Sequence, residues 1–327
     1  MRTKEELYEH LLPDLQQLER HRRDAFAKGY RSVFIAMGVG AGVGLIGLII
    51  GYFNSGNLLW PIPLASIPVG LIIGFIIRHS ILQKFKLIYK SQVVSAVVSN
   101  INPGLYYDAE LEITRQEFRN SQLFSAYPHR YNGEDLIQGR YKKTDFRLSE
   151  IHAEERRQRK TKNGTQTYYV TIFKGLFLIA DFHKDFKGRT FVYTDHAEKN
   201  FGSWLSKKMQ YFSGGRGDLV YLEDPEFERY FKVYSDDQVE ARYILSTSMM
   251  QDILALRKKF KTHIQLAFLH SNVYLAISTS IDFLEPDIKK NLTEPETLYD
   301  LYTDVQLLLQ LIDDLNLNTR IWSKQGS

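Results

Sequence analysis

The chain has 327 residues, 44% of them hydrophobic and 24% charged, with 20 Phe, 20 Tyr, no Cys and a formal net charge of +4. That length allows about two folded units, and the apolar and aromatic content excludes a collagen-like, disulfide-framework or wholly disordered protein. The lack of cysteine removes thiol nucleophiles, thiolate metal sites and disulfides from the available chemistry.

Residues 3–31 predict an amphipathic helix. Thr3 and Glu6 have capping-box spacing, Leu7, Leu11, Leu15 and Leu18 recur at helical intervals, and Pro13 is expected to bend it. A charge-free run, Ser32 to Phe53, follows, and after the polar turn Asn54-Ser55-Gly56-Asn57 comes a second, Leu58 to Ile77. As helices these reach about 33 and about 30 Å, close to the thickness of a hydrocarbon core. The pair is expected to form a transmembrane hairpin over residues 32–77. About thirty charge-rich residues precede the first run, which argues against a cleaved signal peptide.

Arg20, Arg22, Arg23, Lys28 and Arg31 precede the first span, and Arg78, Lys84, Lys86 and Lys90 follow the second. The connecting turn is uncharged, so both termini are expected on the cytoplasmic side of the membrane. Small-residue pairs stand at Gly38/Gly42, Gly40/Gly44 and Gly47/Gly51 in the first span and at Gly70/Gly74 in the second. Such spacing lets helices approach closely, either within the hairpin or between copies of the chain. Pro61 and Pro63 suit the first turn of the second helix, whereas Pro68 lies inside it. No ionisable residue lies in either span, so no ion path is indicated. Helical spacing then continues to Asn102-Pro103-Gly104, predicting a stalk over 78–103.

Residues 104–327 are expected to form a cytoplasmic α+β domain, strands first and helices after. The region after residue 78 carries 34 Lys and Arg against 32 Asp and Glu, too balanced for a general nucleic-acid surface. Asn163-Gly164 predicts a hairpin turn between a strand from about Phe146 and the run Tyr168 to Phe173. Lys174-Gly175 is read as a bulge before the strand 176–182, with further strands at 189–193, 219–222 and 231–234. Ser235-Asp236-Asp237 is expected to cap one helix from Gln238 to Lys259, with Val239, Tyr243, Met250, Ile253, Leu254 and Leu256 on or near its inner face. A hairpin, 264–269 with 273–278, and a helix opening at the Thr293/Glu296 capping box complete the chain.

Three clusters offer chemistry. Asp181, His183 and Asp185 alternate, so on a strand they would share a face and could hold a divalent metal or exchange protons; a solvated strand end fits the same pattern. Ser213-Gly214-Gly215-Arg216-Gly217-Asp218 lies near Lys207 and Lys208 and could form an anion nest, but it matches neither a P-loop nor a dinucleotide fingerprint. Arg156, Arg157, Arg159, Lys160 and Lys162 gather at the predicted hairpin tip, where they could meet anionic lipid at about 1 kcal/mol each. No nucleophile elbow, HExxH or kinase set is present. The expected function is therefore a membrane-anchored binding or scaffold domain that needs no cofactor. Its expected partners are the bilayer and either another protein or a second copy. A membrane-bound hydrolase or phosphate-ligand enzyme using a divalent metal is the alternative.

Several stretches carry a resemblance: Ser121-Gln122-Leu123-Phe124, Tyr131 to Gly139, Phe146 to Ile151, Phe177 to Phe182, Leu222 to Phe227, Phe231 to Asp237 and Ala241 to Leu245. Together they resemble a domain-of-unknown-function family of bacterial two-span membrane proteins. The resemblance implies a short cytoplasmic start, two spans and a larger soluble region in the bacterial inner membrane, and it transfers no catalytic residue.

Overall fold

The computed structural model describes residues 2–53, 61–162, 164–182, 184–194, 217–315 and 317. They fall into two units: a helical one (residues 2–96 with 285–302) and a sheet-containing one (97–284 with the chain from 303 onward).

The helical unit begins with one unbroken helix, α1 (Lys4–Phe53), so the amphipathic start and the first apolar run are a single element and Pro13 does not divide it. Thr3 and Glu6 make the reciprocal capping bonds: Thr3 N–H donates to Glu6 Oε2 (2.9 Å) and Glu6 N–H to Thr3 Oγ1 (3.2 Å). The second helix, α2 (Pro61–Tyr89), runs through a π-turn at Lys90–Val94 into α3 (Ser95–Ile101), and the chain turns at Asn102.

α1 and α2 pack antiparallel at bare backbone. A Cβ on Gly40 would meet Ser66 O at 2.5 Å, one on Gly70 would meet Ala36 O at 2.5 Å, and one on Gly74 would meet Val33 Cα at 2.7 Å. Gly38 and Gly42 take no part in this intra-hairpin contact: an added Cβ on either would meet nothing within 4 Å. A helix turns 200° in two residues, which puts that pair opposite the Gly40 face. Gly44 and Gly47 are buried and Gly51 is half-buried. The turn 54–57 lies outside the described residues.

Residues 285–302 join this unit through polar contacts. Glu285 pairs with Lys86 and with the buried Lys90, whose Nζ is 3.0 Å away in the π-turn. Glu19 on α1 is buried, bonded by Arg22 (2.7 Å) and Arg23 (2.8 Å), and accepts the Leu292 N–H (3.2 Å). Arg22 also donates to Ile288 O (3.0 Å), and Tyr8 OH donates to Thr293 O (2.7 Å).

In the other unit β1 (Leu105–Asp108), β2 (Arg130–Tyr141), β3 (Thr144–Thr161), β4 (Gly164–Asp181), β5 (Thr190–Thr194), β6 (Asp218–Val220), β7 (Phe231–Ser235), β8 (Ile264–Leu269) and β9 (Asn272–Ser278) form one sheet. Its order is β1-β2-β3-β4-β9-β8-β5-β7-β6, and every pairing is antiparallel. The last hairpin therefore closes into the middle of the sheet. β5 is buried at every residue, and β8 and β9 nearly so, which requires cover on both faces. On one face α4 (Arg115–Asn120), held by the Thr114/Glu117 capping box, sets Phe118 against Phe124, Tyr131 and Phe177 at ring distances of 4.9, 5.5 and 5.0 Å.

Three local expectations are corrected. The bulge falls where the register shifts past Ile172, while Gly175 (φ +145°) is a close approach: a Cβ there would lie 2.1 Å from Ile277 O. The Asp224-Pro225 turn opens a short helix, α5 (Pro225–Tyr230). The single helix from Gln238 is two, α6 (Gln238–Ile244) and α7 (Thr247–Phe260), because Ser246 caps the second by accepting from Met249 N–H (3.3 Å). The break leaves Val239 and Tyr243 exposed, while Met250, Ile253, Leu254 and Leu256 remain buried. The helix α8 (Pro295–Asp314) opens at Pro295, while Thr293 donates through its N–H (3.1 Å) and Oγ1 (2.9 Å) to Asn291 Oδ1.

Gly70→Leu should lower stability in detergent by about 1–3 kcal/mol, because backbone cannot yield to the new side chain. Gly38→Leu should stay within about 0.5 kcal/mol. Equal losses in thermal unfolding midpoints would refute this packing.

Candidate functional site

The hairpin β3–β4 is longer than the sheet that holds it. β2 leaves β3 at the pair Arg130–Glu154, and β9 leaves β4 at Gly175–Ser278, yet β3 and β4 stay paired out to Thr161–Gly164. Seven residue steps beyond Glu154 make a two-stranded arm of about 24 Å. The polar run 156–167 has no apolar residue to bury, which is why the arm stands in solvent. Asn163 lies outside the described residues.

The register decides where the five expected cations point. Directly paired residues share a face, so Arg156 lies with Tyr169, and Lys160 with Thr165, on one side. Arg157 with Tyr168, and Arg159 with Gln166, occupy the other. Lys162 belongs to the turn. Both faces are thus basic, and each carries a tyrosine. From 156 to 171 there are five cations and no acidic residue. The base is braced: Arg130 lies over the Tyr169 ring at 3.5 Å, Arg157 reaches back to Glu155 at 2.8 Å, and Glu154 lies 3.8 Å from Arg130. Among the described residues no ion pair is seen for Arg156, Arg159, Lys160 or Lys162.

The expected metal cluster is not assembled on a strand. β4 ends at Asp181, opposite Asn272; Phe182 turns inward against Phe186 and Phe268, and Asp185 accepts from Ser271 Oγ (2.6 Å). His183 lies outside the described residues, and among those described no group of three or more His, Asp or Glu could hold a metal ion. Asp181 instead lines a shallow depression of about 520 Å³ with Tyr106, Gln138, Arg140, Asp145 and Arg147. Its cations already have partners: Arg140 forks onto Asp145 (2.8 and 2.6 Å), and Arg147 bonds Glu117 and Gln138. Of the glycine-rich loop only Gly217 and Asp218 are described; 213–216, like Lys207 and Lys208, lie outside the described residues.

One acidic centre escaped the sequence reading. Glu150 on β3 sits directly across from Glu134 and accepts the Phe283 N–H (2.9 Å). Burial pushes its carboxyl up to about 7, against the lowering pull of the Phe283 N–H; the charges of Asp135, Asp282 and Glu134 raise it further. Asp135, in the bulge beside it with φ +61°, is buried and accepts from Tyr107 OH. Only the tertiary pairing reveals this centre, because nothing local marks Glu150 as buried.

Together these elements define an α+β protein: long apolar helices ahead of a large antiparallel sheet from which a basic arm projects. The profile of a family described as Protein of unknown function (DUF3137) matches residues 171–317. The resemblance to a domain-of-unknown-function family is thus shown over that stretch, which runs from mid-β4 through α8 and leaves the cationic part of the arm outside it. No curated protein matches the chain. The crystal structure of the mycobacterial trehalose monomycolate transport factor A, TtfA, is similar at 8% identity and a TM-score of 0.32, covering 69% of this chain and 96% of that one. A similarity that low carries no argument about function.

The raised Glu150 pKa fixes a sign. Its stabilising contribution is whole below about pH 4.5, the ordinary value, and is lost as pH rises through about 7. Glu150→Gln should therefore gain stability over the parent as pH rises, by on the order of 3 kcal/mol above pH 7. Unfolding midpoints compared at pH 5 and pH 8 check this, and a pH-independent difference would contradict it.

Proposed function

We propose that the chain is a membrane-anchored, non-catalytic binding or scaffold protein that displays its sheet-containing region at the cytoplasmic face of a bacterial inner membrane. The observation that carries this reading is the bareness of the apolar helices. α1, and the helical stretch running from α2 into α3, are each long and apolar enough to cross a membrane, yet only 17% and 11% of their most apolar windows are buried. A core helix of a soluble protein would be mostly covered. Here Phe34, Ile35, Leu45, Ile49, Ile73 and Ile76 are among many large side chains left open once the glycine contact is made. An apolar surface of that extent needs lipid around it. The orientation rests on the cations that flank both runs.

The binding role is supported by the arm, a surface built for contact and not for packing. The resemblance supports the bacterial two-span plan. The partner is either another protein or a second copy of the chain.

Alkaline washing of membranes should leave the protein in the pellet, and its release would overturn the anchor. A fluorescent protein fused after Ser327 should fold and emit, whereas a phosphatase that matures only outside the cytoplasm should be inactive at the same point. The reverse pattern would overturn the orientation.

A further inference from the structure

We propose that the β3–β4 arm is a lipid-reading prong, which grips the anionic headgroups of the bilayer through Arg156, Arg157, Arg159, Lys160 and Lys162. The inference rests on the membrane reading above, which supplies the surface, and it names the ligand that reading leaves open.

Geometry argues for a headgroup layer over other anions. The cations alternate between the two faces of the ribbon, with Arg156 and Lys160 on one and Arg157 and Arg159 on the other. A single small phosphate could neutralise one face only, whereas a layer of mobile headgroups meets charges on both sides of a thin prong at once. The charge balance argues against nucleic acid. Residues after 78 sum to +2, of which the arm supplies +5, so the rest of that region is net −3 and repels a long polyanion lying along it. A prong that engages alone avoids that repulsion.

Tyr168 and Tyr169 add the amphipathic rings favoured at a membrane–water boundary. Tyr168 is 42% exposed and available, while Tyr169 is covered by Arg130 and stiffens the base. The covalent link to the apolar helices makes the encounter intramolecular, so even a weak surface attraction is populated.

The chain lacks cysteine, so Thr165→Cys provides a single labelling point beside the turn. The full chain, labelled there with an environment-sensitive fluorophore, is reconstituted into nanodiscs of phosphatidylcholine alone or mixed with phosphatidylglycerol. Both contain a headgroup-linked quencher. Quenching is expected only in the anionic discs, lost at high salt as the charges are screened. The bound-to-free ratio of the arm, read from the quenched fraction, should fall about fivefold for each cation neutralised, as in Arg159→Gln or Lys160→Gln. Thermal unfolding of each variant verifies that the fold survives, and the salt titration of the parent needs no variant.

Equal quenching in both discs would overturn the prong, as would quenching that survives neutralisation of all five cations. A fluorescence response to an oligonucleotide or polyglutamate, with none to anionic discs, would also overturn it. A chain that enters discs but shows no lipid-dependent quenching refutes the prong and leaves the anchor intact. A chain that stays soluble without detergent or discs refutes both.

Discussion

Strand β4 is bonded on both sides from Gly175 to Ala180 and on one side before that, and this asymmetry organises the sheet. The boundary is set at Gly175. Ile277 O presses so close that no side chain fits, and the backbone takes a φ that only glycine adopts readily. Beyond it β4 is held between β3 and β9, with Leu176, Phe177 and Leu178 almost wholly buried. Before it the strand has only β3, the register slips at Ile172, and from Thr167 back to the turn the side chains are polar. One strand thus supplies both the centre of the core and half of the exposed arm. Bulges raise local twist and re-aim the residues beyond them.

In the helical unit the same work is done by charge. Glu19 is held at about 2, first by its bond to Arg22, against the opposing effect of burial, with Arg23 and the Leu292 N–H adding to the lowering. Such a depressed carboxyl stabilises fully above its ordinary range and loses its contribution only as pH falls from about 4.5 toward 2. Glu285, flanked by Lys86 and Lys90, is likewise lowered despite the opposing effect of its burial. Neither cluster makes the unit more stable than apolar packing would; buried pairs roughly break even against their desolvation. Their effect is directional: Lys90 would be buried without its Glu285 partner, and Glu19, already paired within α1 by Arg22 and Arg23, gains the Leu292 N–H only when residues 285–293 dock in this place.

Much of this was legible in the sequence, where the cause is local. The apolar runs, the Thr3/Glu6 box, the strand pattern on either side of residue 163 and the cation cluster depend on neighbours within a few residues. The features that escaped depend on distance or on competition. Ser246 reads as one more polar residue in a helical pattern until its hydroxyl is seen capping Met249, which splits the helix and turns Val239 outward. Asp181 and Asp185 share a parity that means something only if the strand continues, and Phe182 ends it by turning into the aromatic pair of Phe186 and Phe268. Glu285 finds its lysines almost two hundred residues away, and Glu150 becomes buried through strands whose pairing no local period encodes.

The arm carries its own physical cost, which bears on how separable it is from the fold. An isolated two-stranded ribbon is marginal in water, and its open edges invite pairing with other chains. Five like charges along it add repulsion, so its stiffness must come from the base. There Arg130 stacks on Tyr169 and Glu155 holds Arg157. Those contacts sit within three residues of the sheet, whereas Arg159, Lys160 and Lys162 lie beyond them and make no ion pair among the described residues. Charge near the tip can therefore change without disturbing the sheet, while a change at Arg130 or Tyr169 would loosen the arm's direction. The same cations deter edge-to-edge association between copies of the chain. An electrostatic surface and a guarded edge are thus one feature with two consequences.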